Sequence, residues 1–325
     1  MLDRLIPDKF ILILLGTIAL ASIVPVSGKS ADIAASISSL AIFLLFFLHG
    51  LRLPRADVVV AMRNWRLQAM IFGFVFAIMP LAGIAAASLG RSLVPAGLVT
   101  GLLYLGLLPS TVQSAISYAS IARGNVAASV MASAISNLSG IFITPLLAAI
   151  VIGSSGGSGF NSNVALKIVM ILLLPFVLGQ LSHRWLHGWA HRQKRLLSFM
   201  DRSAIAIAVY VAFSSAVTGG LWQIVDTQIL IILFALIASM LIFALVATWG
   251  LGKTFHLNRA DRISLIFGGS HKSIATGAPL AAILFAGPQA GMVILPTLLY
   301  HLLQLIASAP LANRFAMQPA AATTA

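Results

Sequence analysis

Long apolar runs alternate with short polar breaks along the whole chain. The runs lie near residues 8–25, 31–51, 67–88, 94–121, 125–152, 163–182, 203–218, 227–250, 260–286 and 289–312. A helix needs about 20 mostly apolar residues to cross a hydrocarbon layer. The breaks are too short to hold a separate soluble domain. The pattern predicts an all-α integral membrane protein of ten transmembrane helices, one transmembrane domain over 1–325, with 314–325 as a short cytoplasmic tail. The run from Phe10 to Val26 is flanked by Asp3, Arg4, Asp8 and Lys9, a mixed rather than basic flank, and no small-x-small site follows it. It reads as a retained span, not a cleaved leader.

Two runs are interrupted. In the fourth, Pro109 removes a backbone donor, and Ser110-Thr111-Val112-Gln113-Ser114 puts polar residues in the middle of an apolar span. In the ninth, Gly268-Gly269 lets the backbone leave helical geometry, and Ser270-His271-Lys272-Ser273 follows. Laid over each other at an offset of 159 residues, about half the chain, the two stretches match: hydroxyls coincide at 111/270, 114/273 and 117/276. With five helices per half, the halves have opposite orientation. An inverted repeat with one interrupted helix in each half points to a transporter binding site near the membrane midplane. Pro kinks and Ser/Thr clusters also occur in ordinary membrane helices that only pack, so the weight lies on the matching positions of the two breaks.

Composition agrees with the runs. Hydrophobic residues make up 60% and charged residues 8%, with a mean hydropathy of +1.03; a soluble domain carries about 25% charged residues. There is no glutamate and no cysteine, and the net charge is +13. That excess reads as cytoplasmic loops, not nucleic-acid binding. With the N-terminus in the cytoplasm, sixteen of the 20 lysines and arginines fall on the cytoplasmic side and two, Lys29 and Arg91, on the other. Such a split obeys the positive-inside rule and requires an even number of spans, with both termini cytoplasmic. The basic 183–202 segment is read as a loop carrying a surface helix at the lipid headgroups, anchored by Trp185 and Trp189; its histidines 183, 187 and 191 also have the spacing of a helical metal face.

Candidate site residues follow from position. Lys272 lies at mid-span, where a lysine costs about 2.5–3.5 kcal/mol on insertion scales and is functional by default. Lys167, near a helix end, snorkels. Ser129, Ser133 and Asn137 share one face of the fifth run, either as oxygen ligands for a small cation or as a packing stripe. Thr297, His301 and Gln304 share a face of the tenth. Thr111, Gln113, Ser114, Ser270 and Ser273 come from the breaks themselves. Ser273 beside Lys272, or Ser114 with His301, is an alternative nucleophile and base for an intramembrane hydrolase. Adjacent helical residues point about 100° apart, which is poor geometry for a dyad. A non-transporting regulatory membrane protein is the third class.

The strings FFLHGLRL (46–53), FAIMP (76–80), LPSTVQSAISYASIARGN (108–125), SAISNLSG (133–140) and GGSHKSIATGAPLA (268–281) resemble the bile acid:sodium symporter family, in its SBF-like branch, over nearly the whole chain. The resemblance implies two inverted five-helix repeats, a panel of helices 1, 2, 6 and 7 (1–58 and 163–222), and a core (59–162 and 223–313) in which broken helices four and nine cross. It implies transport of a small organic anion with sodium, and a first sodium site at Gln113, Ser114, Ser129 and Ser133, with Asn137 one turn on. The sequence departs from the family where a shared ninth-helix sodium ligand, a glutamate, falls at Ile266; the glutamines of the second site fall at Val75 and Ser270. The expectation is therefore an alternating-access transporter in the inner membrane with lipid and a small organic anion as partners, no cofactor, and no obligate protein partner. Its coupling ion is open between sodium, through the remaining neutral oxygens, a proton, through Lys272, and none. Lys272 is expected to hold the unwound carbonyls together in place of sodium and its glutamate, with Ser114 and Ser273 taking its remaining donors.

Overall fold

A computed structural model describes residues 10–52, 64–155, 162–285 and 287–318; side chains 154–171 and that of His187 lie outside the description. Asp3, Arg4, Asp8, Lys9, Arg55, Arg63, the side chain of Lys167 and residues 319–325 therefore lie outside the described residues. Among the described residues the chain is helical and has no strand. In order, the helices are α1 (Phe10–Ile23), α2 (Lys29–Leu51), α3 (Trp65–Gly73), a π-helical turn (Phe74–Ile78) running into α4 (Met79–Gly90), α5 (Ala96–Leu107) and α6 (Gln113–Ile121). Then come α7 (Val126–Ser155), α8 (Ser162–Arg192), α9 (Lys194–Thr218), the one-turn α10 (Leu221–Ile224), α11 (Thr227–Thr254), α12 (Arg259–Ser270), α13 (Ile274–Leu284) and α14 (Pro288–Met317).

Six helical stretches among the described residues are long and apolar enough to span a bilayer: Lys29–Leu51, Trp65–Gly90, Val126–Gly153, Lys194–Thr218, Thr227–Thr254 and Pro288–Met317. Their outer faces carry exposed Ile33, Ile37, Leu40, Leu81, Leu89, Ile231, Ile242 and Val246. In water such a surface is an aggregation site; in lipid it is solvated, so the protein is a multi-pass integral membrane protein.

Small residues let the helices approach, since lipid supplies no hydrophobic drive between them. Gly50 of α2 faces the Phe176 carbonyl of α8, and Gly179 of α8 faces the Phe47 carbonyl of α2; a Cβ at either would strike that backbone. Gly83 and Gly106 likewise bring α4 against α5.

Three local features differ from the sequence reading. The 183–202 segment is not a loop: α8 runs on to Arg192 and α9 starts at Lys194. Its apolar positions are in register for a helix, and Ala190 and Leu197 bury against Leu48 and Leu51 at the end of α2, while Arg184, Arg192, Lys194 and Arg195 stay exposed. Gly268-Gly269 is not the ninth-run break. Both glycines are inside α12, where Gly269 packs on Phe74 and Thr248, and the backbone leaves the helix at His271–Ser273. Finally, α14 continues to Met317, so the tail as drawn from residue 314 begins within a helix.

Candidate functional site

The two breaks meet in the interior. Pro109 cannot continue α5, and the backbone leaves the helix over residues 108–112, extended at Leu108, before α6 restarts at Gln113. That frees a row of carbonyls, each of which needs a donor when buried. Every one from Gly106 to Thr111 has one. Gly106 and Leu108 accept from the Lys272 ammonium at 3.0 and 2.6 Å, and Leu107 from Thr144 Oγ1 at 2.9 Å. Pro109 accepts from the Ser273 amide at 2.9 Å. Ser110 accepts from Asn137 Nδ2 at 2.5 Å and Thr111 from Ser133 Oγ at 3.2 Å. The Ser110 amide in turn donates to Ser136 Oγ. Residues on α7 and in the second break thus replace the missing helix ladder.

The second break is held as firmly. Gln304 of α14 takes the Lys272 amide on Oε1 at 2.8 Å and donates Nε2 to the Lys272 carbonyl at 3.1 Å. His301 Nδ1 lies 3.3 Å from the same carbonyl and 2.8 Å from Gln304 Nε2. Tyr300 donates to the Ser270 carbonyl at 2.6 Å. Ser273 caps α13 through the Thr276 amide, and Thr276 Oγ1 donates to Asn137 Oδ1 at 2.8 Å. His271, a residue that sequence reasoning passed over, bridges Ser114 at 3.0 Å and Ser308 at 2.8 Å; its place in the polar break was the available signal.

The structure places the expected residues as follows. Thr111, Gln113, Ser114, Ser133, Asn137, Ser270, Lys272, Ser273, His301 and Gln304 all lie in or against the two breaks. The sodium ligands read from the resemblance do not share one centre of hydrogen bonds: Ser114 is joined to His271, Ser133 to the Thr111 carbonyl, and Ser129 to Ser264 Oγ at 2.9 Å. Ser129 belongs instead to a cluster in which Asn64, Asn125 and Asn258 surround Asp261. The expected partners of Lys272 are also corrected. Ser114 goes to His271 and Ser273 to Thr276, and all three ammonium donors go to main-chain carbonyls, the third being Val75 at 3.2 Å. The Thr297 hydroxyl is buried and has no partner among the described residues. Of the histidines 183, 187 and 191, His183 is bonded to the Leu51 carbonyl at 2.6 Å, and the side chain of His187 lies outside the described residues.

Beside the two breaks lies a cavity of about 430 Å³. The first turns of α6 and α13 open into it through Gln113 and through Ile274–Thr276. The lining also includes Arg52 and His49 of α2, Phe176 of α8, and Asp201, Arg202 and Ile205 of α9. Arg52 and Asp201 form a two-pronged ion pair, at 2.5 and 3.3 Å, and Arg202 lies over the Phe10 ring. These cavity cations sit at helix ends in the sequence, where they are indistinguishable from loop charges.

Two interrupted membrane helices that meet beside a cavity are the arrangement in which secondary transporters place their binding sites. The chain belongs to the SBF-like CPA transporter family, whose sequence profile matches residues 8–317. It is 40% identical over 313 residues to "Uncharacterized protein PA2026" of Pseudomonas aeruginosa, covering 96% of this chain and 94% of that one. It is 38% identical over 311 residues to "Putative symporter YfeH" of Escherichia coli, 96% and 93% of the two chains. It is 27% identical over 299 residues to mouse "Sodium/bile acid cotransporter 7", 91% and 88%.

Proposed function

We propose that the protein is a secondary transporter that moves a small organic anion by alternating access. The observation that carries this reading is the cavity itself. Two helix N-termini open into it, and free N–H groups and the helix dipole both favour an anion there. Arg202, His49 and His301 add donors, Arg52 being paired with Asp201 of the same lining, while Phe10, Leu138, Ile141, Phe176 and Ile205 supply apolar wall for an organic body. Ligand pockets have this balance, mostly apolar with a few placed polar groups. The names of the E. coli and mouse relatives, a symporter and a sodium/bile acid cotransporter, support cargo movement and an organic acid as cargo.

In this reading there are ten transmembrane helices in two inverted repeats, α5 with α6 and α12 with α13 being the broken fourth and ninth. The panel comprises 1–58 and 163–222 and the core 59–162 and 223–313, and the cavity between them opens alternately to the two sides. The membrane is the inner one, with both termini cytoplasmic. The Ser114, Ser129 and Ser133 hydroxyls hydrogen-bond to protein groups, and the sodium-against-choline comparison below decides whether their remaining lone pairs also take sodium.

The test is binding and proteoliposome uptake across a panel of carboxylates and sulfates of graded apolar size, with sodium or choline outside. Saturable uptake of at least one amphipathic anion is expected. Arg202→Gln should weaken its binding about tenfold, the equivalent of one charge-assisted hydrogen bond. A panel with no saturable binding, or binding indifferent to Arg202 and to the anionic group, overturns the reading.

A further inference from the structure

The Lys272 ammonium is coordinated as a bound cation would be. It is fully buried, and its ligands are three main-chain carbonyls, Val75, Gly106 and Leu108, at 3.2, 3.0 and 2.6 Å. Each carbonyl is made available by a fault in its own helix. At the π turn the Met79 amide bonds back to the Phe74 carbonyl. Val75 would then need the amide of residue 80, which is proline and has none. Gly106 and Leu108 lie at the end of α5, where the ladder stops before Pro109. The end of α5 also presents the negative pole of its dipole.

Three acceptors need three donors, and only the protonated amine carries three. The charge has no carboxylate among the described aspartates to pair with. Asp32 is exposed, Asp201 is bound to Arg52, Asp226 caps α11 and Asp261 sits among asparagines. What meets the charge is carbonyl oxygen, the ligand type that hard cations take. Gln304 pins the Lys272 backbone at both amide and carbonyl, so the ammonium is held at a fixed point.

We propose that Lys272 is a built-in cation: its ammonium permanently fills a carbonyl cage formed by the π turn and the end of α5, and so ties the two broken helices together without an inorganic ion. The inference deepens the transport reading, because it makes the crossing independent of sodium. Its test does not read transport, so the two stand or fall separately.

The experiment is thermal unfolding of the purified protein in sodium, potassium or choline chloride at equal ionic strength. The wild-type midpoint should be the same in all three. Lys272→Ala empties the cage. Its midpoint should fall in choline and recover saturably, by about 2–4 °C or more, with sodium, potassium or ethylammonium, since a ligand that binds only the folded state raises the midpoint. Lys272→Gln keeps N–H donors but loses the charge; it decides the matter if the alanine variant does not fold, and should lie below wild type in choline and rise with sodium. Saturable stabilisation of the wild type by sodium overturns the proposal. So does a Gln variant as stable as wild type in choline, or a lowered midpoint in the folded variants that no cation raises.

Discussion

Asn137 bonds to both breaks at once. Its Nδ2 donates to the Ser110 carbonyl and its Oδ1 accepts from Thr276 Oγ1, so one side chain on α7 fixes the unwound strand after α5 against the first turn of α13. Truncation leaves the buried Ser110 carbonyl without a donor and the Thr276 hydroxyl proton without its acceptor, although that hydroxyl still accepts from Ser273; a stranded buried group costs about 1–3 kcal/mol. Asn137→Ala is expected to lower the unfolding midpoint by several degrees and to abolish uptake. Gln113, which also lines the cavity, behaves oppositely: its side chain is exposed. Gln113→Ala should leave the midpoint within the ±0.5 kcal/mol of an ordinary exposed substitution while changing anion affinity. Thermal unfolding and uptake measured on both variants check the contrast. Equal effects of the two substitutions on stability would mean that Asn137 is not the tie described. Both residues were visible in the sequence as polar groups in or beside a break. Their separate duties were not, because a shared helix face does not reveal which partner occupies it.

Helix length and helix faults were legible to different degrees. The apolar runs located the helices well, and Pro109 located the first break, because a missing donor acts at its own position. The second break was misplaced by a few residues, since Gly268 and Gly269 serve close packing on Phe74 and Thr248, a use of glycine that sequence does not separate from unwinding. The π turn at Phe74–Ile78 left no trace in the apolar pattern, though Pro80 marks its consequence. The basic 183–202 stretch read as a separate surface helix rather than as the continuation of two long helices, because its buried stripe is narrow, Ala190 and Leu197 against Leu48 and Leu51. That stripe continues the α2–α8 contact made through Gly50 and Gly179. Gly179→Val places a side chain against the Phe47 carbonyl, and overpacking of this kind costs about 1–3 kcal/mol or more. The variant should give less folded protein on size-exclusion chromatography and a lower midpoint. Gly153→Ala, at a position open to space, is the control and should match wild type. A Gly179→Val protein as stable as that control would show that α2 and α8 can part without cost.

At the scale of the whole molecule, the distribution of charge orients the protein. Sixteen of the 20 lysines and arginines fall on one side if both termini share it, and basic loops stay in the cytoplasm. The structure gathers much of this charge at one end: Arg184, Arg192, Lys194 and Arg195 are exposed around the α8–α9 joint, and Arg52 reaches Asp201 nearby. The joint is therefore expected in the cytoplasm. The chain contains no cysteine, so a single introduced thiol reports its own side without background. Ala190 is buried against α2 and would be silent from either side; Gln193, the one residue between α8 and α9, is exposed. Gln193→Cys should resist a membrane-impermeant maleimide added to intact cells and react fully once the cells are opened. A cysteine at Leu93, exposed in the turn between α4 and α5, should show the reverse. Labelling of Gln193→Cys from outside, with Leu93→Cys protected, would invert the topology, and the sixteen basic residues would then lie against the rule that orients other membrane proteins.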